Sequence, residues 1–462
     1  FEAKRDLFEG LAVETLEKDW VKRPVFHLDL NIGKYDTPDS LDKILNETLD
    51  YWESLYGTRS AETTLALRFA GVVGRAYEQS GERVAILIDE YDKPLLQAIG
   101  NEELQREFRN TLKPFYGVLK TMDGYIKLGF LTGVTKFGKV SVFSDLNNLK
   151  DISMRRDYID ICGITDKELH RYFDKDLHTL ADVQGLDYET VCLEVQKRYD
   201  GYHFNFNTPG IYNPFSLLNT FDAMAFGSYW FATGTPSYLV YLLKKHHYRL
   251  EEIEKVEVTE DVLDSIDSEG TNPIPVIYQS GYLTIKDYDP EFGLYMLDYP
   301  NREVEEGFVK YLMPFYIDKS EAEAPFEIRR FVGEVRNGNI DGFFHRLQSF
   351  FADAPYEVIV GQDPVRNVEL FFQNVLFIVF RLAGFYTQVE YHTSRGRIDL
   401  VLKTDKFIYV MEFKQGATAE EALAQINEKG YADAFASDSR TLYKIGVSFS
   451  DEQRNIERWL VE

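Results

Sequence analysis

The 462-residue sequence contains only two cysteines, Cys162 and Cys192, and this scarcity argues against a fold held together by disulfide bonds. Long apolar runs are also missing, because no segment reaches the roughly 18 apolar residues that a membrane-spanning helix needs. No signal-like segment opens the chain. These absences exclude a secreted, disulfide-rich protein and an integral membrane protein. We therefore expect buried thiols, a cytoplasmic location and no membrane partner.

Positive charge is scarce as well. The sequence has 51 Lys and Arg against 76 Asp and Glu, for a formal net charge of −25. Because binding to a phosphate backbone depends on Lys and Arg, this balance argues against broad, unspecific affinity for nucleic acid. We expect only a local basic rim, which includes Arg395, Arg397 and Lys414, and weak, metal-dependent DNA binding.

The residues that are present can build large cores, since 44% of them are hydrophobic and 15% are aromatic. The length predicts two to three domains. Residues 1–235 alternate between strand-like and helix-like runs, which favours a parallel sheet with helices on both faces. Residues 236–344 predict a helical region with a small β element from Ile274 onwards, and the acidic stretch 320–325 predicts a linker. Residues 345–462 form the third predicted domain.

The C-terminal part contains two alternating runs of polar and apolar residues, 396–402 and 407–414, separated by a short polar turn. This pattern predicts a β-hairpin. Side chains two residues apart on a strand share a face, so we expect Glu412 and Lys414 to project together. Strand pairing then brings Asp399 alongside them.

Two carboxylates and an ammonium group at one place have a chemical use. Mg²⁺ prefers oxygen ligands and usually takes one or two protein carboxylates, which Asp399 and Glu412 provide. The metal acts as a Lewis acid and lowers the pKa of bound water, which suits the hydrolysis of a phosphodiester. We expect Lys414 to hold the attacking water or the developing negative charge.

The arrangement of Asp399, Glu412 and Lys414 resembles the PD-(D/E)XK nuclease superfamily, with these residues in the places of the motif's Asp, acidic residue and Lys. The motif's Pro is absent. The predicted order of a helix (368–383), a strand (385–391) and the hairpin also resembles the core of that superfamily. The resemblance implies a restriction-endonuclease-like α/β domain that uses Mg²⁺ or Mn²⁺.

The same resemblance implies roles for two further residues. Glu369 takes the acidic position on the first helix, and Gln425 is similar to the Gln of the helix at 419–429. Tyr431 resembles the Tyr of that helix, but six residues of α-helix rotate by roughly 600°, so the two side chains point about 120° apart unless Gly430 ends the helix. We therefore favour Gln425 as a site residue.

Near the other end, the apolar run 84–88 leads directly into Asp89 and Glu90. A buried parallel strand delivers carboxylates to the carboxyl edge of an α/β sheet in this way. The run resembles a Walker B strand, in which the Asp holds Mg²⁺ through water and the Glu orients the attacking water. The resemblance also implies a sensor-type strand that ends near Thr132.

The sequence Asp-Glu-Tyr-Asp-Lys-Pro at residues 89–94 is similar to the signature of bacterial AAA-ATPase-like proteins that carry a C-terminal PD-(D/E)XK nuclease domain. Other segments resembling landmarks of that family occur in order at residues 7–11, 27–30, 130–137, 143–149, 199–202, 212–215 and 229–236. The resemblance therefore covers nearly the whole chain.

In that family a phosphate loop precedes the segment at residues 7–11, whereas this sequence starts at Phe1. Residues 133–139 fit the pattern G-x-x-x-x-G-K, but the next residue is Val140, which has no hydroxyl for Mg²⁺, and no clear helix follows. We expect a phosphate loop before Phe1, and the alternative is a protein that has lost it. ATP binding is expected only with that loop.

The predicted fold class is α/β: a P-loop NTPase-like (AAA-like) parallel-sheet domain, a middle region, and a restriction-endonuclease-like domain. The predicted function is metal-dependent cleavage of nucleic acid, with DNA as the expected substrate, coupled to the ATPase-like module. The alternative is a non-catalytic scaffold or regulator that binds nucleic acid or protein and keeps the acidic and basic positions as a buried ion-pair network. The sequence does not predict an oligomeric state.

Overall fold

The computed structural model describes residues 1–135, 146–230, 239, 242–243, 248–264, 272–316, 323–352, 364–384, 388–394, 397–450 and 452–462. For residues 324–325, 364–369, 388–394 and 397–399 we describe the backbone alone. The chain forms two compact units that interleave in sequence. The first contains Phe1–Arg155 and Thr259–Gly281, and the second contains Arg156–Val258 and Tyr282–Glu462. The division into domains at 1–235, 236–344 and 345–462 remains a prediction.

The helices are α1 (Ala12–Leu16), α2 (Ser40–Tyr56), α3 (Leu65–Ser80), α4 (Lys93–Gln97), α5 (Glu102–Thr121), α6 (Asp166–Tyr172), α7 (Asp174–Gln184), α8 (Tyr188–Tyr199), α9 (Pro214–Ala223), α10 (Glu260–Asp264), α11 (Ile274–Gln279), α12 (Arg302–Tyr316), α13 (Ala324–Asn337), α14 (Ile340–Ala352), α15 (Pro364–Gly384) and α16 (Ala419–Glu428). The strands are β1 (Val25–Asp29), β2 (Val84–Asp89), β3 (Ile126–Leu131), β4 (Val256–Thr259), β5 (Thr284–Asp289), β6 (Leu294–Asp298), β7 (Gln388–Ser394), β8 (Arg397–Lys403), β9 (Phe407–Gln415), β10 (Thr441–Ser450) and β11 (Asn455–Val461).

The first unit is built on a parallel sheet in the order β1-β2-β3. The predicted Walker B strand is therefore the central strand of the three. Asp29 at the end of β1 lies directly opposite Asp89 at the end of β2. Since parallel strands end at the same edge, the carboxyl edge of this sheet collects acidic residues.

Helices α2, α3 and α5 pack together on the face of this sheet that carries Phe26. Phe26 on β1 packs edge-on against Trp52 of α2 with a centroid separation of 4.9 Å, and Phe69 of α3 stacks on Phe115 of α5 at 4.7 Å. Right-handed crossovers between strands that advance in one direction all lie on the same side of a sheet. On the opposite face, Phe130 of β3 keeps 39% of its surface exposed, so the described residues do not cover that face completely.

The small β element predicted in the middle of the chain is confirmed in part. Strands β5 and β6 form an antiparallel pair, and β4 adds to β6 in the order β4-β6-β5. The prediction that the element begins at Ile274 is wrong, because Ile274–Gln279 is helix α11. Pro275 lies in its first turn, where a proline's fixed φ suits a helix and its missing N–H costs nothing. Residues 317–322, most of the predicted linker, lie outside the described residues.

The second unit contains a five-stranded mixed sheet in the order β11-β10-β9-β8-β7. The predicted hairpin is confirmed as the antiparallel pair β8 and β9, and β10 runs parallel to β9. One face of β9 packs through Phe413 against Phe344 of α14 and Phe380 of α15. On the other face Val410 packs against Ile426 of α16. The central strand β9 thus lies between two helical layers.

Candidate functional sites

The two predicted metal-binding acids are cross-strand partners. In the antiparallel ladder of β8 and β9, Asp399 lies opposite Glu412, and Arg397 lies opposite Lys414. Directly opposite residues of an antiparallel pair have Cβ atoms about 4.5–5.5 Å apart. The hairpin therefore brings these four backbone positions together, in the register that a site with two carboxylates requires.

Glu412 is fully buried, with 0% of its surface exposed, and Lys414 is half-buried. Both lie on the side of β9 that carries Ile408 and Val410, because alternate residues of a strand share a face. A carboxylate at this depth is costly unless a cation stabilises it. A divalent metal ion satisfies this requirement, and so does a nearby ammonium group.

Gly446 is the neighbour of Glu412 on the other side, in strand β10. A Cβ atom at this position would lie 2.2 Å from the carbonyl oxygen of Ala419 and 2.5 Å from the backbone nitrogen of Leu423. Helix α16 therefore rests directly on β10 at the level of Glu412. The absence of a side chain at Gly446 is what allows this close approach, a requirement that the sequence pattern alone did not reveal.

Helix α16 begins at a capping box. The Thr418 hydroxyl accepts the Glu421 backbone N–H at 3.2 Å, and the Glu421 carboxylate accepts the Thr418 backbone N–H at 2.8 Å. These bonds satisfy N–H groups that a helix start leaves open. They lower the pKa of the Glu421 carboxyl, and attraction to the Lys414 ammonium lowers that pKa further.

The half-buried Gln425 lies one helical turn after Glu421. Because α16 connects two parallel strands, it returns antiparallel to β9. The contacts at Gly446 place Ala419 and Leu423 at the level of Glu412. Gln425 follows two residues later on the same helix, which packs on β9 and β10.

The other two candidates are placed differently. Glu369 lies on α15, so its predicted helix is confirmed, but its side chain lies outside what the structure describes. Tyr431 follows the end of α16, where Gly430 adopts the left-handed φ of +64°, and it packs against the cluster that includes Val410 and Ile426. Tyr431 thus contributes to the core beneath the site.

The donor set suits a hard divalent cation, since carboxylate oxygens are the ligands that Mg²⁺ and Mn²⁺ prefer. Within the described part of the chain, no group of three or more His, Cys, Asp or Glu side chains has a metal-binding arrangement. The side chain of Asp399 is outside the described part of the structure. The candidate centre is therefore the cross-strand pair of Asp399 and Glu412, with substrate and water oxygens as the remaining ligands.

The second candidate site lies at the carboxyl edge of the parallel sheet. Asp89 ends β2, and the hydroxyl of Thr132, the residue after β3, donates a hydrogen bond to its carboxylate. The backbone of Thr132 is fixed on both sides, because its N–H donates to Ile88 and its carbonyl accepts from Tyr91, each at 2.9 Å. The structure thus brings together two of the predicted nucleotide-site residues.

Glu90 has a left-handed φ of +56°, which is uncommon for a residue with a side chain. Burial raises the pKa of its carboxyl, and the neighbouring Asp92 raises it further, while Lys93 opposes both effects. Strained backbone of this kind costs about 1–3 kcal/mol and is concentrated at functional sites. The turn after β2 therefore presents Glu90 in a conformation that the surrounding fold must stabilise.

Asp92 is a residue whose role sequence reasoning missed. It is fully buried, and it accepts hydrogen bonds from the backbone N–H groups of Val134 and Thr135 at 3.2 and 2.5 Å. Burial raises the pKa of its carboxyl, and the bonds from Thr135 oppose that effect. Asp92 thus ties the segment after β3 to the turn after β2. The available sequence signal for this role was the acidic residue two positions after the Asp89-Glu90 pair.

Comparison with known proteins gives two family matches. Residues 1–143 match a family described as "Predicted AAA-ATPase", and residues 367–459 match the PD-(D/E)XK nuclease superfamily, whose members generally use Mg²⁺ or Mn²⁺. The chain is also 32% identical over 472 residues to an uncharacterized protein in the vnfD 5′ region of Azotobacter chroococcum mcd 1. That match covers 100% of this chain and 88% of the relative.

No solved structure matches the chain. Among the described residues, no helix combines the length and the apolar character needed to cross a bilayer. The two cysteines are free thiols, with Cys162 exposed and Cys192 half-buried. The expectation that both thiols are buried is therefore wrong for Cys162, which lies in a loop before α6.

Proposed function

Since this chain belongs to the family of bacterial AAA-ATPase-like proteins that end in a PD-(D/E)XK nuclease domain, we propose that it is a metal-dependent nuclease coupled to its ATPase-like module. The observation that carries the proposal is the register of β8 and β9, which pairs Asp399 with Glu412 two residues before Lys414. We propose nucleic acid as the substrate, with DNA the expected type, and a cytoplasmic location.

In this proposal Asp399 and Glu412 hold Mg²⁺ or Mn²⁺. Bound there, the metal supplies Lewis-acid polarisation and a lower pKa for water. Lys414 stabilises the negative charge that develops on the phosphate during attack, a contribution made by a preorganised cation in a partly dehydrated site. Glu369 and Gln425 orient the groups that contact substrate and metal.

The acidic edge of the parallel sheet is the proposed nucleotide site. Asp89 holds Mg²⁺ through water, Glu90 orients the attacking water, and Thr132 fixes the Asp89 carboxylate through its hydroxyl. These groups do not grip the β and γ phosphates, which requires a nest of backbone N–H groups and a lysine. We therefore propose that ATP binds tightly only when a phosphate loop is supplied.

The test is cleavage of end-labelled single-stranded DNA, double-stranded DNA and RNA with Mg²⁺ or Mn²⁺, with and without ATP. The matched control is Glu412→Gln, which keeps the size of the side chain and removes its charge. We expect the parent protein to cleave nucleic acid and a chelator to abolish this cleavage. The Glu412→Gln variant should show no cleavage. Equal cleavage by both proteins would contradict the assigned site.

A non-catalytic scaffold is the second candidate, and the net charge of −25 together with the complete burial of Glu412 favours it. In this case Glu412 and Lys414 form a structural ion pair, and the chain binds nucleic acid or protein without cleaving it. Calorimetric titration with Mn²⁺ separates the two functions. The nuclease binds Mn²⁺ through Glu412, whereas the scaffold shows no heat that depends on this residue.

A further inference from the structure

We infer that residues 248–258, the link segment, form the route by which the first unit regulates the proposed nuclease site. Two residues of α15, Asn374 and Arg381, fasten the link segment to that helix, and we call this pair the latch. The inference rests on the proposed function, because it names the regulation of the same nuclease site. The two latch residues are positioning residues, since they act through α15 and not on the reacting phosphate.

Helix α15 presents opposite faces to the sheet and to the link segment. Phe372 stacks on Phe449 of β10 with a centroid separation of 4.3 Å, so this face of the helix covers the sheet. At about 100° per residue, Asn374 and Arg381 lie about 180–200° around the helix from Phe372. Both latch residues are therefore on the face turned away from the sheet, where Asn374 is only 3% exposed.

The side-chain amide of Asn374 binds the link segment with both of its polar groups. Its oxygen accepts the backbone N–H of Leu250 at 3.0 Å, and its nitrogen donates to the carbonyl of Tyr248 at 3.2 Å. Leu250 and Ile253 are fully buried, so the link segment packs into the surrounding core. A displacement of the link segment is costly, because it leaves buried donor and acceptor groups unpaired.

Arg381, two turns further along α15, joins three parts of the second unit. Its Nε and Nη2 atoms lie 2.8 Å from the carboxylates of Glu254 in the link segment and Glu305 of α12, respectively. The donors of an arginine form a rigid planar fork, so two carboxylates around one guanidinium restrict its orientation. The link segment is thus tied to α15 and to α12 at the same point.

The residue next to Arg381 contacts the strand that carries the proposed nuclease site. Phe380 packs against Phe413 of β9 with a centroid separation of 6.1 Å. Phe413 lies between Glu412 and Lys414 in the sequence, so it is on the opposite face of β9 at the level of the site. Because protein cores are closely packed, a shift of α15 at Arg381 changes the packing beneath these two site residues.

The link segment is also the place where the chain leaves the second unit. Val258 is its last residue, and the stretch Thr259–Gly281, the excursion, belongs to the first unit. Strand β4 spans this crossing, and β5 begins at Thr284, directly after the chain has returned. Since β6 lies between β4 and β5, both crossings are at strands of one small sheet. A change in the excursion therefore has a short covalent path to the latch.

A double-mutant cycle tests whether a change in the first unit reaches α15 through the latch. Leu263→Ala removes a buried side chain of α10 within the excursion, and Arg381→Gln removes the charge of the latch. Amide hydrogen exchange of α15, followed by peptide mass spectrometry, reports the local opening of this helix. We expect Leu263→Ala to raise the exchange rate about fivefold in the parent background and to leave it unchanged in the Arg381→Gln background. Asn374→Ser, which shortens the latch without changing its charge, should abolish the response in the same way.

Arg346→Gln is the matched control for the latch. Arg346 of α14 also joins two carboxylates, but its partners Glu327 and Glu334 both belong to α13 and not to the link segment. Leu263→Ala should raise the exchange rate of α15 as much in the Arg346→Gln background as in the parent. If Leu263→Ala does not fold, Leu263→Val, which removes a single methylene, takes its place and should give a smaller response of the same sign.

Cleavage assays on the same set of proteins separate the inference from the proposed function. We expect the nuclease rate to follow α15, so that Leu263→Ala lowers it in the parent and in Arg346→Gln but has no effect in Arg381→Gln. The inference is overturned if α15 does not respond to Leu263→Ala, if it responds equally with and without Arg381, or if a cleaving parent keeps its rate in Leu263→Ala. If the parent cleaves no nucleic acid while the exchange pattern holds, the proposed function fails and the path through the latch stands.

Discussion

Glu412 lies between two strand partners, opposite Asp399 on one side and opposite Gly446 on the other. Asp399 supplies the second carboxylate of the proposed metal site, and Gly446 leaves the space into which helix α16 packs. Both are set by the register of a central strand and not by the conformation of a loop. Sites built on rigid elements hold their groups more accurately than sites built on loops.

The first prediction concerns this pair of acids. Glu412→Gln and Asp399→Asn should each abolish Mn²⁺ binding, because a neutral amide is a much weaker ligand for a hard cation than a carboxylate. Cleavage should be lost with the metal. Isothermal titration with Mn²⁺ and a nuclease assay on the same samples measure the two effects, and retained Mn²⁺ affinity in both variants would remove the basis of the metal site.

Lys414 should behave differently from the acids. Lys414→Ala should retain Mn²⁺ binding, since an ammonium is not a metal ligand, and should lower kcat by about 10²- to 10³-fold because one preorganised charge is gone. The control is Lys406→Ala in the exposed turn of the same hairpin, which should leave both quantities unchanged. A loss of metal binding in Lys414→Ala would instead indicate that this lysine holds the hairpin together.

The third prediction tests the close approach at Gly446. Gly446→Ala places a Cβ about 2.2 Å from a backbone oxygen of α16, so the helix must move, and overpacking of this kind costs about 1–3 kcal/mol. The unfolding midpoint in urea should fall. Gly333→Ala on α13 is the control, since a Cβ there meets no atom within 4 Å and alanine favours the helix. Equal midpoints for the two variants would contradict the packing of α16.

Much of the nuclease-like region could be predicted from the sequence, because its signals are local. The alternation of polar and apolar residues identified β8 and β9, and the apolar run at 368–383 identified the helix that the structure extends to Pro364–Gly384. The pairing of Asp399 with Glu412 followed from the short turn between the strands. Periodicity and turn length together determine the register of a hairpin.

The features that were missed depend on contacts between distant parts of the chain. Nothing near Gly446 in the sequence indicates that α16 rests on it, and nothing near Asp92 indicates the N–H groups of residues 134–135 that it binds. At Ile274 the apolar and β-branched residues favoured a strand, but the prolines on either side of it favoured the start of a helix. Local propensity predicted the wrong element there.

The fourth prediction distinguishes the two faces of the parallel sheet. Ile88 is 2% exposed on the face that α2, α3 and α5 cover, whereas the adjacent Leu87 is half-buried on the other face. Ile88→Asp buries an unpaired charge and should unfold the first unit, because this cost of several kcal/mol is comparable to the stability of a domain. Leu87→Asp should be tolerated with a smaller loss, as judged by circular dichroism during thermal unfolding. Similar losses in both variants would mean that both faces are covered.

The last prediction concerns pH and a pair of acids that share one arginine. In the second unit, Arg381 of α15 contacts Glu254 through Nε and Glu305 through Nη2, each at 2.8 Å. Burial raises the pKa of Glu254 to about 7. Attraction to Arg381 opposes this effect, and repulsion from Glu305 adds to it. The pKa of Glu305 is raised as well, again mainly by burial.

A folded-state pKa above the ordinary value of 4.5 means that the folded protein binds protons more tightly than the unfolded chain. The stability that Glu254 contributes is therefore fully present below about pH 4.5 and is lost as the pH rises through about 7. A difference of about 2.5 pKa units at 1.36 kcal/mol per unit gives a loss of at most about 3 kcal/mol between these limits. Urea unfolding at pH 5, 6, 7 and 8 should show this decline.

Glu254→Gln should flatten the dependence, because the amide fits the same pocket and has no proton to lose, and the variant should be more stable than the parent at pH 8. Glu252→Gln, at an exposed position where the carboxylate lies 3.7 Å from Arg249, is the matched control and should follow the parent curve. A parent protein whose unfolding free energy rises from pH 5 to pH 8, or a Glu254→Gln variant that keeps the parent's slope, would show that Arg381 holds both carboxylates ionised and that burial does not dominate at Glu254.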